Sequence, residues 1–153
     1  MILYFNINVK DLFRLGKAYP WVKPDRCTKC KGIRLWGHGF VQRCFRGYSK
    51  KIWLKRYRCP DCNRVHTIRP ANYWSRFHYC RFIILRCLLK KIRYKKWASS
   101  ISYQAQQYWF KGLIFQSSIY KNTGFPTEGT LRVLFSKPII PASHSIKSEV
   151  LRC

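Results

Sequence analysis

Acidic residues are scarce in this chain: five Asp and Glu stand against 31 Lys and Arg, which gives a formal charge of +26. Ordinary domains intersperse both signs of charge, and self-repulsion of this size opposes a compact fold. A polyanionic partner relieves it, and nucleic acid is the first candidate because neutralising phosphates releases counterions. An acidic membrane surface, met by the basic stretch 82–96, is the second candidate.

The shortage of carboxylates also argues against strand cleavage by this chain alone. A metal-dependent strand-transfer site needs about three carboxylates that converge on two cations. The whole supply is Asp11, Asp25, Asp61, Glu128 and Glu149. Two of these lie within the cysteine motifs described below, and the histidines show no metalloprotease spacing. We therefore expect no enzymatic activity from the isolated chain.

Long apolar runs are missing as well. The longest, residues 82–89, contains Arg86 and is too short to span a bilayer. The first residues lack a basic n-region, and Lys10, Asp11 and Arg14 interrupt any signal-peptide core. We expect a cytoplasmic, nucleoid-associated protein that is not secreted. In that reducing compartment, paired cysteines more often hold metal than form disulfides.

Apolar material is nevertheless sufficient for a core, since 47% of the residues are hydrophobic and 17% are aromatic. Disorder throughout is therefore not expected. The composition along the chain predicts an α+β protein with four regions. These are an N-terminal arm (1–24), a small β zinc ribbon (25–70), a helical, helix-turn-helix-like region (72–116) and an irregular tail (117–153).

Two CxxC pairs carry the strongest chemical signal. Cys27 and Cys30 are followed, after 28 intervening residues, by Cys59 and Cys62. Each pair places two thiolates on one side of a tight turn, and four thiolates complete the tetrahedron that structural zinc prefers. The pattern therefore predicts one structural Zn²⁺ held by these four residues.

The segments between and after the pairs favour a ribbon. Residues 33–45 and 51–58 are predicted to be strands joined by the turn at 46–49, and a third short strand is predicted at 64–69. Gly32 and Asn63 stand where an unusual backbone conformation is often required. His38, Cys44 or His66 can replace a cysteine ligand in the alternative arrangement.

The second half is typical of amphipathic helices. Spaced apolar residues predict one long helix from Tyr73 to about Lys95, and Ser100 or Ser102 can cap a further helix over 103–115. In that helix one face is apolar, with Ile101, Ala105, Tyr108, Trp109 and Leu113. Residues Leu131 to Phe135 are predicted to form a strand.

The other face of the 103–115 helix carries Gln104, Gln107 and Lys111. Gln can pair bidentately with adenine in a major groove, and Lys can bind guanine or phosphate. The layout therefore favours a reading helix, although a plain polar surface helix has the same pattern. Phosphate contacts are assigned to a set of basic residues from the ribbon and the first helix: Lys50, Lys51, Lys55, Arg56, Arg58, Arg81, Lys90, Lys91, Arg93, Lys95 and Lys96.

The order of these parts resembles that in certain prokaryotic insertion-sequence transposases. The similar residues are the two cysteine pairs, Trp36 to Gly39, Arg56 to Arg58, Thr67 to Pro70, Trp97-Ala98, Ser102 to Gln104 and Tyr108-Trp109. The resemblance covers about residues 25–116. It implies a zinc ribbon followed by a helix-turn-helix that recognises element ends, here without the catalytic core.

Two functions follow from these observations. The first is a zinc-dependent, double-stranded DNA-binding module of a transposase-like protein, acting with a catalytic transposase partner. The alternative is an RNA-binding, ribosome-associated structural protein, since small basic zinc ribbons suit that role equally well. Nucleic acid is the expected partner in both, with DNA favoured over RNA.

Overall fold

A computed structural model describes residues 1–121, 125–136 and 140–144 of the chain. The described residues form two compact units, one of residues 1–78 and one that begins at Tyr79. The first holds a four-stranded sheet and the second holds three of the four α-helices, which confirms the predicted α+β class. Parts of the predicted irregular tail, among them Glu149, lie outside the described residues.

The sheet of the first unit has the strand order β1-β4-β3-β2. Its strands are β1 (Ile2–Phe5), β2 (Trp36–Arg43), β3 (Ile52–Arg58) and β4 (Val65–Pro70). β2, β3 and β4 are antiparallel neighbours and coincide with the three predicted strands. The predicted turn between β2 and β3 lies at one end of this hairpin and the cysteine pairs lie at the other.

The first residues of the chain are part of this sheet, where the sequence predicts an arm. β1 pairs in parallel with β4, with Leu3 opposite Ile68, and both side chains are buried. A short helix, α1 (Val9–Leu15), follows, and the Asn8 side chain caps it by accepting from the Lys10 amide at 3.0 Å. A four-residue strand whose partner lies more than 60 residues away has no local sequence signal, so only the tertiary structure reveals it.

The helix predicted from Tyr73 begins later, at Arg81. Tyr73, Trp74 and Phe77 are buried against the first unit in an irregular segment. The guanidinium of Arg69 donates to the backbone carbonyls of Tyr73 at 2.9 Å and Phe77 at 3.0 Å. These bonds occupy carbonyls that a helix would need for its own ladder, so the segment stays non-helical.

The second unit contains α2 (Arg81–Tyr94), α3 (Tyr103–Lys121) and α4 (Glu128–Ser136). The α4 helix corrects the strand predicted at 131–135. Leu131 and Leu134 are buried whereas Arg132 between them is exposed, which is the spacing of a helix face. Thr127 supports the start of α4, since its Oγ1 accepts from the Thr130 amide at 3.2 Å.

The inward face of α3 also differs from the sequence pattern, at Tyr108 and Gln106. Trp109 and Leu113 are buried as predicted, but Tyr108 is 52% exposed and Gln106 is 1% exposed. Gln106 accepts from the Ala98 amide and donates to the carbonyls of Ala98 and Ile101, all at 2.8–2.9 Å. Its buried amide is therefore fully used in holding the 97–101 turn against α3.

Candidate functional site

The two cysteine turns of the first unit are built alike. In each, the amide of the first cysteine donates to the carbonyl five residues on, Cys27 to Gly32 at 2.8 Å and Cys59 to Arg64 at 2.9 Å. The fifth residue of each turn has a left-handed backbone, φ +63 at Lys31 and φ +56 at Asn63. Asn63 takes the conformation expected of it, whereas Lys31 takes the one expected of Gly32.

Gly32 lies close to the opposite cysteine turn. A Cβ at that position would collide with the Asp61 carboxylate of the opposite turn. Asp61 in turn forms an ion pair with Arg34. The absence of a side chain at Gly32 thus lets the two turns approach each other.

The approach brings four sulfurs together. Sγ of Cys27 lies 3.5 Å from Sγ of Cys62, Sγ of Cys30 lies 3.5 Å from Sγ of Cys59, and all four lie within 4.8 Å of one another. Four sulfurs at about 2.3 Å from a tetrahedral zinc are roughly 3.8 Å apart. A disulfide requires about 2.05 Å, and every cysteine in the described part of the chain is a free thiol. The cluster therefore fits one metal ion.

The pKa values of the clustered cysteines also favour a bound cation. Burial opposes the Cys27 thiolate, but the amides of Cys30 and Lys29 and the side chains of His66 and Cys62 lower its pKa to about 6. The Gly32 amide favours the Cys30 thiolate, yet desolvation and the neighbouring thiols raise the pKa of Cys30 to about 12. Four adjacent thiolates therefore need a cation to coexist, and a divalent metal supplies that charge.

His66 completes the surroundings of the cluster. It is fully buried, and its Nε2 lies 3.2 Å from Sγ of Cys27. Nδ1 is buried and has no hydrogen-bond partner among the described residues, so Nε2 is the ring nitrogen that serves the cluster, as a donor to the Cys27 sulfur. The sequence marks His66 as an alternative ligand, and the geometry instead makes it a hydrogen-bond donor to one.

Replacing His66 with phenylalanine is expected to weaken zinc binding about 10- to 100-fold while the stoichiometry stays at about one ion. The substitution keeps a ring of similar size but removes the donor to Cys27. Competition against a chromophoric zinc chelator would measure the change. His38→Phe, a histidine away from the sulfurs, is the control, and equal affinities for the two variants would rule out the proposed role of His66.

The predicted reading helix presents a polar face. Gln104 and Lys111 of α3 are exposed, and Gln107 is partly exposed and donates to the Tyr103 hydroxyl at 2.7 Å. Tyr103 and Tyr108 are 54% and 52% exposed on the same side. The helix therefore offers a continuous stripe of amide, hydroxyl and ammonium groups over about two turns.

The connection before this helix is longer than in a compact helix-turn-helix. Residues 95–102 separate α2 from α3, whereas that motif uses a turn of about three to four residues. Lys95 closes α2 in a left-handed conformation, and its amide donates to the Lys91 carbonyl at 3.1 Å. α2 and α3 pack together in one unit, but the connection between them is longer than the turn of the predicted helix-turn-helix.

The predicted phosphate-binding residues fall into both units. In the first unit, Lys50, Lys51 and Arg58 are exposed, while Lys55 and Arg56 are partly covered. In the second, Lys95 and Lys96 are exposed and Lys90 is partly covered. Several of them have partners within the protein. Lysine or arginine groups lie over aromatic rings in the pairs Lys55–Phe40, Arg81–Phe82, Lys91–Trp97 and Lys95–Phe125, Arg58 donates to Asn63, and Arg93 pairs with Glu128.

The fold and the cluster define a class: a small α+β protein with a four-cysteine metal site, consistent with a zinc ribbon. Comparison with protein-family models, curated proteins and solved structures finds no match to this chain. None of the described helices combines the length and apolar character needed to cross a bilayer.

Proposed function

We propose that this chain is a zinc-dependent nucleic-acid-binding protein and that it binds double-stranded DNA. In this proposal Zn²⁺ is held by Cys27, Cys30, Cys59 and Cys62 and stabilises the first unit. The exposed stripe of α3 lies in a groove, and basic residues of both units hold phosphates. The resemblance to transposase N-terminal modules supports the recognition of an element end.

The observation that carries this proposal is the exposed stripe on α3 in a chain of formal charge +26. Gln104 projects from the first turn of α3, the part of a reading helix that usually reaches base edges. Lys111 follows two turns later on the same side. Phosphate contacts supply affinity, and a few base-edge contacts of this kind supply sequence preference.

We also propose that the chain cuts DNA only with a catalytic partner. Three of its five carboxylates already pair with arginines: Asp11 with Arg14, Asp61 with Arg34, and Glu128 with Arg93. Pairing of this kind favours charge neutralisation within the protein over the binding of two catalytic cations. Cleavage of DNA by the isolated chain with Mg²⁺ would contradict the proposal.

Gln104→Ala is expected to lower affinity for a DNA site selected from random sequence by roughly 5- to 100-fold, the range for losing a bidentate base contact. Affinity for scrambled DNA should not change. Lys96→Ala should instead weaken both duplexes alike, because a phosphate contact carries no sequence information. Fluorescence anisotropy at ~0.2 M salt with competitor DNA would measure both.

Gln42→Ala is the matched control, since Gln42 is an exposed glutamine on β2 in the other unit. Equal losses on selected and scrambled DNA for Gln104→Ala would remove the reading role from α3. Retention on structured RNA together with loss from duplex DNA would favour the RNA-binding alternative and make α3 a packing element.

A further inference from the structure

A cluster of aromatic rings and lysines lies on one face of the β2–β3 hairpin. Phe40 pairs with Lys55 and Gln42 pairs with Trp53 in the antiparallel register, so these side chains share a face. Lys55 Nζ lies 4.4 Å from the centre of the Phe40 ring, and Lys17 Nζ lies 4.4 Å from the centre of the Trp53 ring. We call Phe40, Trp53, Lys17 and Lys55 the ring face.

The rings of this face are only partly covered. Phe40 and Trp53 are both of intermediate exposure, and Trp21 touches Phe40 edge-on with ring centres 6.1 Å apart. A lysine ammonium group lies over each of the two rings. Contacts of that kind are weak near solvent, so a better stacking partner can displace the lysines.

The lysines of the ring face have no acidic partner. The ion pairs found among the described residues join Asp11, Asp61 and Glu128 to arginines outside the ring face. Arg56, next in β3 after Lys55, has a buried Nε that none of the described groups accepts from. Side chains alternate along a strand, so Arg56 belongs to the opposite face. Lys17 and Lys55 are the cations of the ring face, and the ion pairs among the described residues give them no acidic partner.

β2, the strand next to β3, leaves room for another molecule to approach the sheet edge. β2 is at the edge of the sheet, and its register shifts between Gly37 and Phe40. Gly39 has φ +71, and neither Gly37 nor Gly39 has a side chain to block the approach. Cβ atoms at these glycines would lie 3.6 Å from Lys55 Nζ and 4.0 Å from Arg56 Nη2. A glycine bulge in a strand often marks such a close approach.

We propose that the ring face binds an unpaired nucleic-acid strand, whose bases stack on Phe40 and Trp53 and whose phosphates bind Lys17 and Lys55. Stacking requires a free base face, which a duplex does not offer, and a sheet with aromatics beside cations supplies both contacts. This inference rests on the proposed function. It adds a second site, which binds unpaired rather than duplex nucleic acid.

The test uses the full zinc-loaded chain and a fluorescein-labelled 12-mer of thymidine at ~0.2 M salt. Phe40→Leu and Trp53→Leu keep apolar volume but remove the stacking ring, and each is expected to weaken binding about tenfold. Duplex affinity should stay the same. Phe82→Leu, which removes a ring 56% exposed in the other unit, is the control.

The salt dependence of single-strand binding distinguishes stacking on the rings from phosphate contacts with the lysines. Lys17→Gln and Lys55→Gln should each reduce the slope of log affinity against log salt by about 0.7, the single-strand value per phosphate contact. The leucine variants should leave that slope unchanged. Zinc content of about one ion per chain in every variant confirms that the fold is intact.

Each outcome decides between the two proposals. If the wild-type protein binds duplex but not the thymidine strand, the ring-face inference fails and the proposed function stands. If it binds neither nucleic acid at this salt, both fail. Wild-type affinity in both leucine variants, or an equal loss on duplex and single strand, overturns the ring-face inference.

Discussion

Cys59→Ser is expected to abolish zinc binding and to unfold the sheet of the first unit. Cys59 is fully buried, and its amide holds its turn closed through the Arg64 carbonyl. The apparent binding energy of a structural zinc is about 10–16 kcal/mol, as large as the whole stability of a typical domain, about 5–15 kcal/mol. In a domain of fewer than about 80 residues the apolar core alone rarely supplies more than about 3–5 kcal/mol.

Zinc content and backbone amide exchange would measure this effect. The serine variant should contain less than one tenth of an equivalent of zinc, and the amides of β2, β3 and β4 should lose protection. Cys44→Ser is the matched control, because Cys44 is an exposed cysteine of the same unit outside the cluster. A Cys59→Ser protein with protected strands would show that the sheet stands without its metal. Chelation of zinc from the wild-type chain should reproduce the variant.

Arg69→Met is expected to destabilise the first unit by about 3 kcal/mol. Arg69 is 6% exposed, and burial lowers the pKa of its guanidinium, opposed by Tyr4 and assisted by Arg43. It donates to the carbonyls of Tyr73 and Phe77 and lies 5.1 Å from the centre of the Phe45 ring. Hydrogen bonds from a charged donor are each worth about 1.5–3 kcal/mol, and their loss outweighs the relief of the buried charge.

Urea unfolding of the zinc-loaded protein would measure this change. Arg43→Met, an exposed arginine on β2, should shift stability by less than about 0.5 kcal/mol. Arg69→Lys should recover only part of the loss, because a single ammonium replaces the planar fork that reaches two carbonyls. A methionine variant as stable as the wild type would mean that segment 71–78 is held by its buried aromatics alone.

The Cys59 and Arg69 substitutions disturb different contacts around the four-cysteine cluster. The four cysteines bring the two turns together, and the proposed zinc would join them. Arg69 fastens the 71–78 segment to β4, the strand that also carries His66 and follows the second turn. Tyr4 of β1 assists, since its hydroxyl accepts from the Ser75 amide at 2.8 Å. Both strands are thereby tied to the segment that precedes α2.

Local features of the chain could be predicted with few errors. The four cysteines were identified because a CxxC turn is built within six residues, and their sulfurs do meet. The three antiparallel strands were found because alternation and turn residues act over short distances. The buried face of α3 was assigned correctly at Trp109 and Leu113, but not at Tyr108, since the pattern could not foresee that a buried Gln106 satisfies three backbone groups.

The sequence by itself determined the four cysteines of the cluster, the α+β class and the excess of positive charge, because each depends on composition or on residues a few positions apart. Only the tertiary structure decided that Ile2–Phe5 joins β4, that segment 71–78 is held out of α2, and that lysines lie over the rings of Phe40 and Trp53. These features depend on pairings between residues far apart in the chain. Their free energy comes from burial and hydrogen bonds that form only when the sheet is assembled.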